Sequence, residues 1–100
     1  MDINISQIES VAGDSNNVII DVREVAELQL TGFLPSAVNY PMSTFNLDDI
    51  SLDKNKNYYL VCKAGGRSQR VQEYMKAHGY AAHNVEGGMM EYTGPRNYMK

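Results

Sequence analysis

The sequence holds a single cysteine, Cys62, and no tryptophan. One thiol excludes an internal disulfide framework, and with only His78 and His83 to assist it, the donor set argues against a structural zinc site. Neither a metal nor a cofactor is expected. No apolar run approaches the length of a bilayer span, and the first ten residues, MDINISQIES, have neither the basic start nor the apolar stretch of a secretory leader. A cytoplasmic protein without membrane contact is therefore expected. Positive charge is also scarce: 9 Lys and Arg against 12 Asp and Glu give a net charge of −3. That balance argues against bulk attraction to nucleic acid and leaves anion binding to a local cluster. Repeats, low-complexity tracts and linker-like shifts are missing, so residues 1–100 read as one domain.

What the chain does have is alternation of short β-branched runs with helical ones. A short strand over Asp2–Ile5 is followed by Ser6-Gln7-Ile8-Glu9, whose capping-box spacing predicts a helix starting at Ser6 and running to about Ala12. After the turn residues Gly13–Asn17, the continuous run Val18–Val22 reads as a strand buried on both faces. Arg23–Leu28 suits a brief helix, Ala37–Tyr40 a strand closed by Pro41, and Phe45, Leu47 and Ile50 a small helix. Tyr58–Val61 is a second buried strand, Ser68–His78 an amphipathic helix with Gly79 beyond its end, and Ala81–Val85 a further strand. Glu86-Gly87-Gly88 makes a turn into a last helical turn over Met89–Tyr92. The pattern predicts an α/β fold with a small, mostly parallel central sheet flanked by helices on both faces.

Cys62 falls where the second buried strand ends, the end of a parallel sheet at which ligands bind. Gly65 and Gly66 let the loop curl with its amides inward, above the start of the next helix. Lys63, Arg67 and Arg70 add three cations with no acid between Cys62 and Arg70. These features favour the thiolate. A fall of ~2 units from the ordinary ~8.5 needs about 2.7 kcal/mol. A helix N-terminus supplies ~0.3 to 1 kcal/mol and each charge-assisted hydrogen bond ~1.5 to 3, against the opposing effect of burial. Cys62 is thus expected to be a low-pKa nucleophile rather than a packed core thiol.

At these residues the sequence resembles the rhodanese family of sulfurtransferases. Val18-Ile19-Ile20-Asp21-Val22-Arg23-Glu24 is similar to its Asp-Val-Arg-Glu motif, and Gly32–Pro41 to its Gly-His-Ile-Pro-Gly-Ala-x-Asn-Ile-Pro segment. Cys62-Lys63-Ala64-Gly65-Gly66-Arg67-Ser68 is similar to the catalytic Cys-x-x-Gly-x-Arg-Ser loop, and Val85–Met89 to the Gly-Gly turn near the family's end. Phe33, Ser36 and Tyr92 stand where the family usually has His, Gly and Trp. The resemblance implies a rhodanese-like fold and a Cys62 that takes sulfane sulfur from thiosulfate or a persulfide or polysulfide. It passes that sulfur as a persulfide to cyanide or a thiol. Substrate binding falls to Lys63, Ala64, Gly65, Gly66, Arg67 and Ser68. The expected partners are a small anionic sulfur donor and an external thiol acceptor such as thioredoxin or a low-molecular-weight thiol, with the protein a monomer or weak dimer. Related phosphatases and arsenate reductases place five residues between Cys and Arg, whereas Cys62 and Arg67 enclose four.

Other residues carry plainer readings. Asp21 and Arg23 are expected to support the loops structurally, through hydrogen bonds and a salt bridge. Ser68 reads as the cap of the helix after the loop, a role that also orients amides toward Cys62. His78 complements a helix C-terminus, His83 lies in a strand or loop, and neither has the spacing of a base for Cys62. Two further functions stay open: a non-catalytic rhodanese-like binding or sulfur-relay module, and a redox sensor that forms mixed disulfides.

Overall fold

The structure is a computed structural model that describes residues 1–99. Its two central strands are the two runs read as buried, β2 (Asn17–Asp21) and β4 (Asn57–Val61), paired in parallel with Ile19 beside Tyr59 and Asp21 beside Val61. The strands β5 (Ala81–Glu86) and β3 (Ala37–Asn39) flank them, and β1 (Ile3–Asn4) completes the order β1-β5-β4-β2-β3, every pairing parallel. Parallel neighbours need crossovers, and these carry α1 (Ile8–Ala12), α2 (Val25–Thr31) and α3 (Gly66–Ala77); α4 (Gly88–Glu91) follows β5.

The period of two along each strand sends consecutive residues to opposite faces, which is why the runs are apolar throughout. Ile20, Tyr58, Leu60, Cys62 and Ala82 face one core, closed by Val71 and Met75 of α3. Ile19, Val61 and Val85 face the other, closed by Ile5, Ile8 and Met89. Helices thus cover both faces of a small parallel sheet. At the end of α3, Tyr80 N donates to Met75 O (3.0 Å) and Gly79 N to Lys76 O (3.1 Å), with Gly79 at φ +88°. That is the Schellman closure for which a glycine is suited.

Several elements depart from the sequence reading. The N-terminal capping box exists, but it is built by Asn4 and Gln7 around a 3-10 turn over Ile5–Gln7, not by Ser6 and Glu9. Asn4 caps as well as Ser does, and starting earlier buries Ile5 and Ile8 together. The helix placed at Arg23–Leu28 starts instead at Val25 and runs to Thr31, capped by Glu24 and Glu27, because Arg23 is drawn inward by Asp21. Phe45, Leu47 and Ile50 form no helix. Asn46 takes the Asp48 amide on its side chain (2.9 Å) and the Asp49 amide on its carbonyl (3.0 Å), while Leu47 N donates to the Tyr74 hydroxyl. An asparagine that satisfies the backbone locally competes with a helix. The tail beyond α4 is tied back by a bridge in which Phe33 and Asn97 exchange amide hydrogen bonds of 2.9 Å each.

Candidate active site

Between Val61 at the end of β4 and Gly66 at the start of α3 the chain has four residues in which to reverse. Gly65 makes this possible with φ +107°. Gly66 already has helical geometry and open space around a would-be Cβ, so the left-handed requirement rests on Gly65 alone. The turn brings the Gly65 amide to 3.0 Å from Cys62 Sγ and the Ser68 hydroxyl to 3.2 Å from it. Cys62 itself is 1% exposed. Ser68 is not the helix cap; it is the third residue of α3, fully buried, and it turns its hydroxyl under the loop toward Cys62, the Gly65 carbonyl and Asn84.

From outside, α4 braces the same loop. The amides of Met89 and Met90 donate to the carbonyls of Cys62 and Lys63, each at 2.9 Å. The approach is close enough that a Cβ on Gly88, which sits at φ +61°, would fall 2.6 Å from the Cys62 carbonyl oxygen and closer still to that of Lys63. With these carbonyls held outward, the amides that follow point inward. Burial pushes the Cys62 thiol up, but donation from the Ser68 hydroxyl and the Ser68, Gly65 and Ala64 amides outweighs it and leaves the thiol below its ordinary value.

The cations divide. Arg67 meets Glu27 of α2 in a bidentate pair, both N–O distances 2.7 Å. The Arg67 guanidinium draws the Glu27 carboxyl down from 4.5 to about 2, against a smaller opposing effect of burial. Lys63 is exposed and makes no ion pair among the described residues. It lines a cleft of about 280 Å³ between α2 and α4, together with Glu27, Met90 and Arg96. Arg70 is exposed on α3.

Asp21 and Arg23 lie at the end of β2, both at least 98% buried. Arg23 donates to the Asp21 carboxylate through Nε and a terminal nitrogen (2.7 Å to Oδ2), and reaches Thr31 Oγ1 and the Gly32 carbonyl, both at 2.9 Å. It thereby pins the end of α2 to the sheet. Neither histidine is a partner of Cys62: His78 bonds the Tyr74 carbonyl and His83 bonds Asn57.

Two residues of this site escape the sequence reading. Glu27 lies 40 residues from Arg67, and nothing local links the two. Asn84 is a buried polar residue of β5 two positions after Ala82, hence on the face that Cys62 occupies. A polar residue breaking the inward alternation of a strand was the available signal.

Comparison with known proteins agrees with this fold. The model of the Rhodanese-like domain matches residues 5–94. A Bacillus subtilis protein named "Putative sulfurtransferase YtwF" is 38% identical over 92 residues, covering 89% of this chain and 88% of that protein. The crystal structure of a rhodanese-like domain protein from Staphylococcus aureus superposes with a TM-score of 0.85 at 35% identity, covering all of both chains. A tRNA uridine(34) hydroxylase from Pectobacterium atrosepticum is 31% identical over 87% of this chain, which spans only 26% of that enzyme. With the match running through both core faces and the Cys62 loop, this chain belongs to the rhodanese-like domain family.

Proposed function

We propose that the protein is a sulfurtransferase, carrying sulfane sulfur on Cys62 from a small anionic donor to an external thiol. The observation that carries this reading is the cradle around Cys62 Sγ: the Gly65 amide at 3.0 Å and the Ser68 hydroxyl at 3.2 Å, in a loop with four residues between Cys62 and Arg67. Donors placed around one sulfur stabilise its thiolate, and the same donors suit the terminal sulfur of a persulfide.

In the first half-reaction the Cys62 thiolate attacks the outer sulfur of thiosulfate. A new S–S bond forms, the old one breaks, and sulfite leaves with the bonding pair. In the second, an acceptor thiolate or cyanide attacks the terminal sulfur, and the Cys62 thiolate departs, leaving an acceptor persulfide or thiocyanate. Electrons balance without an oxidant. Lys63, next to Cys62 in the chain, exposed and unpaired by any acid among the described residues, is a cation available to the donor's charge, whereas Arg67 is engaged by Glu27. The acceptor comes from outside because the chain has no second cysteine to resolve the persulfide. Thioredoxin or a low-molecular-weight thiol has the required chemistry.

The test is intact-mass measurement of reduced protein and its Cys62→Ser variant after thiosulfate, followed by cyanide with thiocyanate detection. One added sulfur on the native chain alone, discharged by cyanide over many turnovers, is the expected result. Loading by polysulfide or a cysteine desulfurase but not by thiosulfate identifies a sulfur-relay module instead. Loading by none of them refutes sulfur transfer.

A further inference from the structure

Beneath the Cys62 loop, behind the Ser68 hydroxyl that the proposed reaction uses, lies a buried amide side chain that it does not, Asn84. Asn84 is 6% exposed and its amide orientation is fixed, since Nδ2 donates to the Gly65 carbonyl at 3.2 Å. That leaves Oδ1 turned toward Ser68, whose hydroxyl donates to it. Ser68 has one proton and three acceptors within reach, Asn84 Oδ1, Cys62 Sγ at 3.2 Å and the Gly65 carbonyl at 3.2 Å. The carbonyl already accepts from Asn84 Nδ2 and the Gln69 amide, which leaves Asn84 Oδ1 and Cys62 Sγ as the main competitors. The Asn84 backbone amide is in turn held by Asp2 at 2.9 Å, so this side chain has little freedom to turn away.

We propose that Asn84 is a positioning residue that governs the reactivity of Cys62 by competing for the Ser68 proton. While that proton rests on Asn84, the Ser68 oxygen is free to accept the thiol hydrogen, and the neutral thiol is favoured. When the thiolate forms, the hydroxyl turns to the sulfur and Asn84 Oδ1 gives up its donor. The charged groups arranged around this exchange are Lys63 and Arg67 on the loop and first turn of α3, Glu27 from α2 paired to Arg67, and Asp2 ahead of β1. None of them takes the Ser68 proton. The proposal rests on the reading of Cys62 as the reactive thiol, but it concerns ionisation rather than sulfur transfer.

The test is a pH titration of the Cys62 thiolate, by its ultraviolet absorbance and by the rate of alkylation, in the native chain and in Asn84→Ala and Asn84→Asp. Removing the competing acceptor releases the Ser68 proton to the sulfur, so the alanine variant titrates lower. A carboxylate holds that proton harder and adds negative charge, so the aspartate variant titrates higher. Each shift is expected to be about tenfold in the thiolate-to-thiol ratio. The alanine shift must largely vanish when Ser68 is already alanine, whereas the aspartate shift keeps the part due to its charge. Same-sign shifts, or an alanine shift that survives in the Ser68→Ala background, overturn the proposal, because a general loosening of the loop produces either. The alanine variant and its Ser68→Ala double suffice if the aspartate variant fails to fold. A chain whose titration moves as stated yet acquires no sulfur would refute the transfer reading and leave this one intact.

Discussion

At the scale of single residues, the two loop glycines have unequal duties. Gly65 sits at φ +107°, where an L side chain is strained, whereas Gly66 is helical with open space around it. Gly65→Ala is therefore expected to lose the amide contact to Cys62 and most of the sulfur loading. Gly66→Ala is expected to load normally and to gain about 0.4 to 1 kcal/mol of stability. Denaturant melts combined with mass measurement separate the two. Arg23→Ala strands the buried Asp21 carboxylate and is expected to cost about 3 to 5 kcal/mol, a large part of a small domain's stability, as read by urea unfolding. The residues of the Cys62 loop were legible because they are contiguous in the chain. Asn84 and Glu27 were not, because their roles exist only once β5 and α2 are folded against that loop.

At the scale of elements, the Glu27–Arg67 pair ties α2 to the start of α3. The Glu27 carboxyl is depressed from 4.5 to about 2, so its contribution is whole above its ordinary value and is lost as pH falls from there through about 2. The native chain should be more stable than Glu27→Gln at neutral pH, with the gap closing across that acid window in parallel thermal melts. Between α4 and the Cys62 loop the fit is steric: Gly88→Ala drives a methyl into the Cys62 and Lys63 carbonyls. It is expected to break the Met89 and Met90 amide bonds and to return the thiol toward its ordinary pKa, measurable by alkylation rate against pH.

The elements read correctly from sequence are those with strong periodicity or an unambiguous stop, such as β2, β4 and α3 closed by Gly79. The misplaced ones turn on single polar side chains. Asn4 captured the first cap ahead of Ser6, and Asn46 diverted Phe45–Ile50 from a helix. Pattern counts apolar spacing and does not weigh which of two neighbouring side chains wins a backbone amide.

At the scale of the whole molecule, parallel order β1-β5-β4-β2-β3 makes nearly every pairing non-local and places the first strand beside the last. Such a sheet folds slowly compared with a helical bundle. The order also bears on synthesis. A ribosome delivers β2, β3 and β4 ahead of β5, and β2 pairs with each of the other two, so three of the five strands can pair while the chain is still growing. Ile3 and Asn4 must wait for Val85 and Glu86, and the Cys62 loop must wait longer still for the amides of Met89 and Met90. The cradle around Cys62 is therefore among the last features to be assembled, and a nascent or truncated chain holds this thiol without the brace of α4.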